Sequence, residues 1–264
     1  MRVGIEPFVA PSRSPGHATK LARQAIEYGS DLVLVLGGDG TINEVACGMT
    51  YASAALGILP AGTANVLAME MKLGSTPETA AASLAKAVQK RIALGCLETA
   101  EGPRYFLCMA GAGVDARIVA QVSPRLKAAW GKAAYWLTAS RQSFGRVEQL
   151  EVEIAGKRYQ CGFALTSRVA NYGGDMEIAR GASLARNDFE VVLFEGSNPL
   201  RYLYYMLGVG LDIVQQMRGV TTLAAADVRV LSGVDMQIDG EYAGRAPARL
   251  TIVPDALTLL MPPG

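Results

Sequence analysis

The chain has 264 residues, half of them hydrophobic and 19% charged, a composition that supports a large folded core and excludes a disordered chain. With 25 basic against 24 acidic residues the net charge is +1, which gives no electrostatic basis for binding nucleic acid. Four cysteines (Cys47, Cys96, Cys108 and Cys161) without CxxC spacing, and one histidine (His17), make a zinc site improbable and point to free thiols in a reducing compartment.

In chain order, residues 2–10 read as one strand with no signal peptide before it. Ser14-Pro15 reads as an N-cap and first-turn proline of a helix ending near Gly29, with Leu21, Ala25 and Ile26 inward and Lys20, Arg23, Gln24 and Glu27 outward. His17 falls in its first turn, where packing or capping outweighs a catalytic role. Residues 32–36 are continuously apolar, as in a strand covered on both faces, and stop at Gly37-Gly38-Asp39-Gly40. A helix follows, with Thr41 and Glu44 spaced as a capping box. The pattern repeats: residues 56–59 form a strand, 60–63 turn, and 65–71 form a helix.

Two parallel strands ending together place both glycine turns on one sheet edge, where open α/β sheets bind ligands. Main-chain N–H groups at such turns attract phosphate, whereas Asp39 repels it, so the pair implies a divalent cation between carboxylate and phosphates. The alternative is a structural turn whose aspartate caps a helix.

A helix spans residues 77–90, and beyond residue 94 the texture changes to short apolar runs at 104–110, 150–154, 159–166, 189–194, 228–232, 236–238, 250–253 and 257–261, a pattern for an antiparallel sandwich. The expected division is 1–95 and 96–264, with the extreme C-terminus free to pack back on the first part. Two amphipathic helices interrupt the strands, at 123–144 and 198–217. The second places Leu203, Met206, Leu207, Gly210, Leu211 and Val214 on one face. Such faces cover a sheet more often than a membrane, and residues 203–214 are too few to span one. Asp239-Gly240-Glu241 reads either as a hairpin turn or as a source of a carboxylate base.

Five motifs, GGDGTINEV (37–45), GILPAGTAN (57–65), AGAGVDA (110–116), AN…GGDMEIA (170–179) and QIDGE (237–241), resemble the catalytic domain of the diacylglycerol kinase and sphingosine kinase superfamily, the soluble bacterial lipid kinases in particular. The resemblance implies a Rossmann-like α/β domain of the NAD kinase and phosphofructokinase type followed by a β-sandwich domain. It implies ATP bound by Gly37, Gly38, Asp39, Gly40, Thr41, Glu44, Gly62, Thr63 and Asn65, with Mg²⁺ at Asp39. Asp115, Asp188 and Glu190 are secondary metal candidates, and Asp115 matches a member of a polar network behind the family's active site. Asp239 or Glu241 is the implied base, Asp239 being favoured. The expected activity is an ATP-dependent lipid kinase in the cytoplasm, working on a diacylglycerol-like or sphingoid lipid at the inner membrane face, with a homodimer open to it.

The sequence departs from the family pattern in three places. Residues 1–14 lack the NPxSG turn, so the coding start lies upstream or the chain is a trimmed member. Val66 stands where many members have aspartate, and residues 182–191 replace a DDG turn that some relatives use for magnesium. A kinase of the NAD kinase type and a non-catalytic lipid- or nucleotide-binding homologue are the other classes these residues admit.

Overall fold

The computed structural model describes residues 7–121, 147–174 and 176–263. The expected helix at 123–144 and Asp175 of the GGDMEIA motif lie outside them, as do residues 1–6 of the first expected strand; residues 7–10 are not in a strand.

β1 (Leu32–Gly37) and β2 (Ala55–Pro60) pair in parallel from Leu32 opposite Ala55 to Gly37 opposite Pro60, so the two glycine turns open side by side. α1 (His17–Glu27) packs against α2 (Asp39–Gly48), and Gly48 permits the approach, because a Cβ there would lie 2.5 Å from the Thr19 carbonyl oxygen. α1 buries Ala18 and Ala22, with Leu21, Ala25 and Ile26 half-buried beside them. Its N-cap is Gly16 rather than Ser14, and His17 Nδ1 accepts a hydrogen bond from the Arg13 N–H at 3.1 Å, a local capping contact.

Two expectations for this region fail. The Thr41–Glu44 capping box does not form: α2 begins at Asp39 behind Gly38 with no side-chain cap. Glu44 instead accepts the Gly16 and Ala18 N–H groups at 2.7 and 3.1 Å and caps α1, where its charge meets the positive end of the helix. Nor is β1 covered on both faces. Among the described residues it pairs with β2 alone, and Leu34 and Leu36 are 45% and 60% exposed.

α3 (Val66–Glu70) follows the second turn, and α4 (Pro77–Leu84) opens on a reciprocal Thr76–Thr79 capping box. The expected helix to residue 90 stops at Leu84, and the chain enters β3 (Val88–Thr99), which pairs antiparallel with β4 (Gly102–Phe106). From there two large sheets stack, one antiparallel and one mixed. One sheet contains β5 (Met109–Gly113), β8 (Phe163–Ser167), β11 (Phe189–Phe194), β12 (Val220–Ala225), β14 (Asp235–Ile238) and β15 (Glu241–Arg245), in the order β12-β11-β8-β5-β14-β15. The other runs β1-β2-β16-β13-β6-β7, through β6 (Leu150–Ile154), β7 (Lys157–Cys161), β13 (Asp227–Val230) and β16 (Ala248–Met261).

The core between the sheets, among others Leu97, Phe106, Val152, Phe189, Val191, Met236 and Leu250, draws on both, which makes the second part of the chain a β-sandwich. β16 was expected as two strands. It is one, irregular at residues 253–257, whose first part pairs with β13 and whose last part joins β2 in parallel. The run expected at 104–110 is broken at Leu107 and Cys108, between β4 and β5, and the run at 159–166 is broken at Gly162.

A short ladder, β9 (Asn171–Tyr172) with β10 (Met176–Glu177), lies against α3. Glu70 Oε2 ties them together by accepting the Ala170 and Asn171 N–H groups at 3.0 and 3.3 Å. α5 (Val114–Gln121) follows β5, and α6 (Pro199–Gly210) follows β11. No helix among the described residues is long and apolar enough to cross a membrane.

Candidate active site

The two glycine turns touch. A Cβ on Gly62 would stand 2.5 Å from Gly38 Cα, and one on Gly38 would stand 3.1 Å from Gly62 Cα, so each glycine is required by the other's main chain. Asn65, in the left-handed region at φ 49°, closes the second turn on itself: its Oδ1 accepts the Gly62 N–H at 2.8 Å and its Nδ2 donates to the Gly62 carbonyl at 2.9 Å. Thr63 is exposed at that turn, and Thr41 packs its side chain over Gly37. We expect Gly62→Ala to cost about 2 kcal/mol in chemical unfolding, since backbone cannot move aside for the added methyl. Gly40→Ala leaves stability nearly unchanged, because the atom it meets, 2.3 Å away, is the carboxylate end of Glu241, a flexible side chain that can swing away.

Asp39 is the first residue of α2, yet its carboxylate turns toward the start of α3. Burial raises its pKa, against the N–H groups of Val66, Leu67 and Asn65, which favour the ionised form. One oxygen, Oδ1, is buried with no hydrogen-bond partner. Neither α2 nor α3 has a side-chain cap, and α2, with ten residues, is the longer helix starting at the paired turns.

Asp239 and Gly240 form the two-residue turn between β14 and β15, with φ 47° and 78°. The hairpin reading of this pair is thus met, and the aspartate carries a second function within it. Its carboxylate folds back over the β4–β5 junction, where Oδ1 accepts the Cys108 and Met109 N–H groups at 2.9 and 2.8 Å and Oδ2 accepts that of Leu107 at 2.8 Å. The residue is open at its edge, but the carboxylate is enclosed. Burial raises its pKa to about 6 against those three donors, and the charge of Asp39 adds to the rise. The buried Cys108 thiol is pushed up first by burial and then by Asp239, Asp39 and Glu70, so three carboxylates converge around it. Glu241 is exposed, with its Oε1 over Gly40. The structure thus brings Asp39, Gly40, Asp239 and Glu241 into one neighbourhood.

Behind the hairpin, buried Asp115 accepts the Tyr172 hydroxyl on Oδ1 and Gln237 Nε2 on Oδ2 at 2.8 Å, and Gln237 Oε1 accepts the Gly240 N–H at 2.9 Å. Three of the motifs read from sequence meet in this chain of contacts, which fixes the turn that carries Asp239. Asp115 is engaged as a hydrogen-bond hub. Asp188 pairs with Arg186, and Glu190 accepts Gln215 Nε2 at 3.0 Å. No cluster of three or more His, Cys, Asp or Glu residues able to hold a metal occurs among the described residues.

Sequence reasoning missed the N–H groups of residues 107–109, since main-chain donors leave no signature. It also missed Arg168, which is fully buried and donates to the carbonyls of Leu184 and Arg186 at 3.2 and 3.4 Å, with Nε unpartnered. Burial lowers its pKa to about 10, while Cys108, Asp188 and Asp239 act in the opposite sense. A lone arginine in the otherwise small and uncharged stretch TSRVAN was the available signal.

Residues 2–97 match the diacylglycerol kinase catalytic domain model, and residues 108–261 match the YegS C-terminal NAD kinase beta sandwich-like domain model. A protein named diacylglycerol kinase from Bacillus subtilis strain 168 is 27% identical over 269 residues, covering 99% of this chain and 88% of its own. One named "Probable lipid kinase YegS-like" from Pseudomonas putida KT2440 is 30% identical over 259 residues, covering 94% of this chain and 83% of its own. The crystal structure of a diacylglycerol kinase from Bacillus anthracis strain Sterne superposes with a TM-score of 0.74 at 18% identity, over 96% of this chain and 84% of that one, which shows the same fold. Both family models, the relative at 30% identity and the shared architecture agree that the chain belongs to the diacylglycerol kinase and YegS-like lipid kinase family.

Proposed function

We propose that the protein transfers the γ-phosphate of ATP to the hydroxyl of a lipid, diacylglycerol-like or sphingoid, in the cleft between the glycine turns and the Asp239 hairpin. The observation that carries this reading is the buried, unpartnered Oδ1 of Asp39. An oxygen left in that state is costly unless a ligand completes it, and it stands beside a second carboxylate of raised pKa. The residues present fit a magnesium ion. Asp39 would supply one oxygen, with the remaining ligands coming from phosphates and water, as suits an ion rarely held by protein alone. When bound, the ion would neutralise charge building on the transferred phosphoryl group.

N–H groups at the start of α2, a helix with no side-chain cap, would hold phosphate oxygens. Asp239 would accept the proton of the attacking hydroxyl on Oδ2, the oxygen engaged by a single N–H group, with Asp115 and Gln237 keeping the hairpin in register. A second reading, nucleotide binding without transfer, is favoured by one fact: both Asp239 oxygens already accept main-chain hydrogen bonds. Phosphorylation assays with labelled ATP and micellar diacylglycerol or sphingosine, alongside thermal melts, separate the readings. We expect labelled lipid and a melting point raised by MgATP, the stabilisation reaching about 2.7 kcal/mol at a hundred times Kd. A raised melting point without labelled lipid selects the second reading. An unchanged melting point at millimolar MgATP removes both.

A further inference from the structure

α6 is built inside out. Tyr202 and Tyr205 point inward: the Tyr202 hydroxyl lies 3.0 Å from the Phe194 and Gly196 carbonyl oxygens and the Tyr205 hydroxyl 3.0 Å from those of Glu195 and Gly219, each able to accept its proton. The Tyr205 ring meets Phe194 and Tyr202 edge-on, and Val209 is buried beside them. The leucines expected to cover the sheet face the other way. Leu200, Leu203, Leu207 and Leu211 are 72, 52, 60 and 70% exposed, with Tyr204 and Ile213 also outside. Spacings of three and four residues put the four leucines and Tyr204 on one stripe, which carries no charged side chain, with Ile213 just past the helix end.

From this stripe we propose that α6 is an interfacial anchor that lies flat on a lipid bilayer and inserts its leucines among the acyl chains. The proposal rests on the lipid-kinase reading for its biological sense but is tested without it. A helix of 12 residues cannot span a bilayer and can lie along its surface. The alternative occupant, a second copy of the chain, fits poorly. A stable protein interface takes roughly 20–30 residues a side, and the stripe offers Leu200, Leu203, Tyr204, Leu207 and Leu211. A bilayer needs no complementary relief, and Tyr204 suits the headgroup level.

Charge also points to insertion rather than electrostatic attraction. Arg201 pairs with Glu195 at 3.9 Å, and Arg180 pairs with Asp212 and, at 3.4 Å, with Glu177. The location is apt as well. α6 lies against β10, whose partner strand β9 supplies Tyr172 to Asp115 and the Asn171 N–H to Glu70. A bilayer on α6 therefore rests on the ladder that backs the candidate active site.

The test is flotation of the full chain with phosphatidylcholine vesicles, wild type against Leu203→Ser/Leu207→Ser. Both positions are exposed, so equal melting points are expected. The double variant should partition about thirtyfold more weakly, given the apolar surface each leucine would bury. Raising salt from about 0.05 to about 0.5 M should change wild-type partitioning less than twofold, since screening acts on charges.

Equal partitioning of the two proteins, no partitioning of the wild type, or binding only to anionic vesicles at low salt overturns the proposal. A wild-type dimer that the double variant abolishes in sedimentation also overturns it, and assigns the face to a second copy. Water-soluble dioctanoylglycerol keeps the two readings apart: equal turnover by both proteins, with loss confined to vesicles, supports the anchor. Failure of both to turn over overturns the kinase reading and leaves flotation to decide the anchor.

Discussion

On the proposed function, Asp239→Asn should lower kcat for lipid phosphorylation about a thousandfold, within the range a positioned general base contributes, and should change KM for ATP little. The geometry sets the form of the result as well as its size. An asparagine amide can keep the Oδ1 acceptor for the Cys108 and Met109 N–H groups, but its nitrogen then faces the Leu107 N–H, donor against donor. A stability loss of about 1–3 kcal/mol accompanies the loss of activity, as for any buried donor left without an acceptor. The pH profile separates the two effects. In the wild type kcat/KM should fall on the acid side with an apparent pKa near 6, as the enclosed carboxylate protonates. Asp39 contributes to that rise, so the limb belongs to the pair.

The variant loses this limb and leaves a flat residual rate. If its kcat stays within tenfold of wild type with the limb intact, Asp239 is a structural anchor and Glu241, over Gly40, becomes the candidate base. Stability shows the matching sign. The folded pKa lies above the unfolded value of 3.8, so the contribution of Asp239 is fully present below pH 4 and is lost as pH rises through 6. Unfolding free energies across that window should lose this component in Asp239→Asn.

Why Asp239 could be named from sequence while its support could not follows from where the information lies. The GGDG and DGE turns declare themselves through residue types that turns demand, and runs such as residues 150–154 and 189–194 through apolar pattern, so strands and turns were legible. β3 was not. Its first residues are exposed and follow an alanine-rich helix, and it is a strand because β16, about 160 residues later, pairs along it. Glu44 matched a capping box on local spacing, but the free N–H groups it satisfies belong to α1, 28 residues away. α6 misled through side-chain chemistry. Leucine spacing marks an apolar face without saying which way it points, and the burial of Tyr202 and Tyr205 goes with four carbonyls at and just beyond the end of β11 and before β12. In each case a local pattern was outweighed by a distant partner.

Asp39→Asn should separate stability from activity in opposite directions. In the wild type the carboxylate is buried, one oxygen has no partner, and its pKa is raised, so the fold holds a group whose ionised form its surroundings disfavour. Asparagine can still accept from the N–H groups at the start of α3 while removing the charge. The melting point at pH 7 should therefore stay level or rise, and Asp239, freed from a negative neighbour, should titrate lower. Activity should fall about a thousandfold or more, because a neutral amide is a poor ligand for a hard divalent cation.

The decisive comparison needs no turnover. Magnesium added to the wild type with ATP should raise the melting point beyond the effect of ATP with EDTA, and in Asp39→Asn that increment should vanish while the effect of metal-free ATP remains. An undiminished magnesium increment in the variant would place the ion elsewhere. A variant less stable at pH 7 than the wild type would show that Asp39 is held for the sake of the fold. A buried carboxylate that weakens the fold, and that a neutral isostere relieves, persists for what it binds; the sign of the stability change is therefore as informative as the loss of rate.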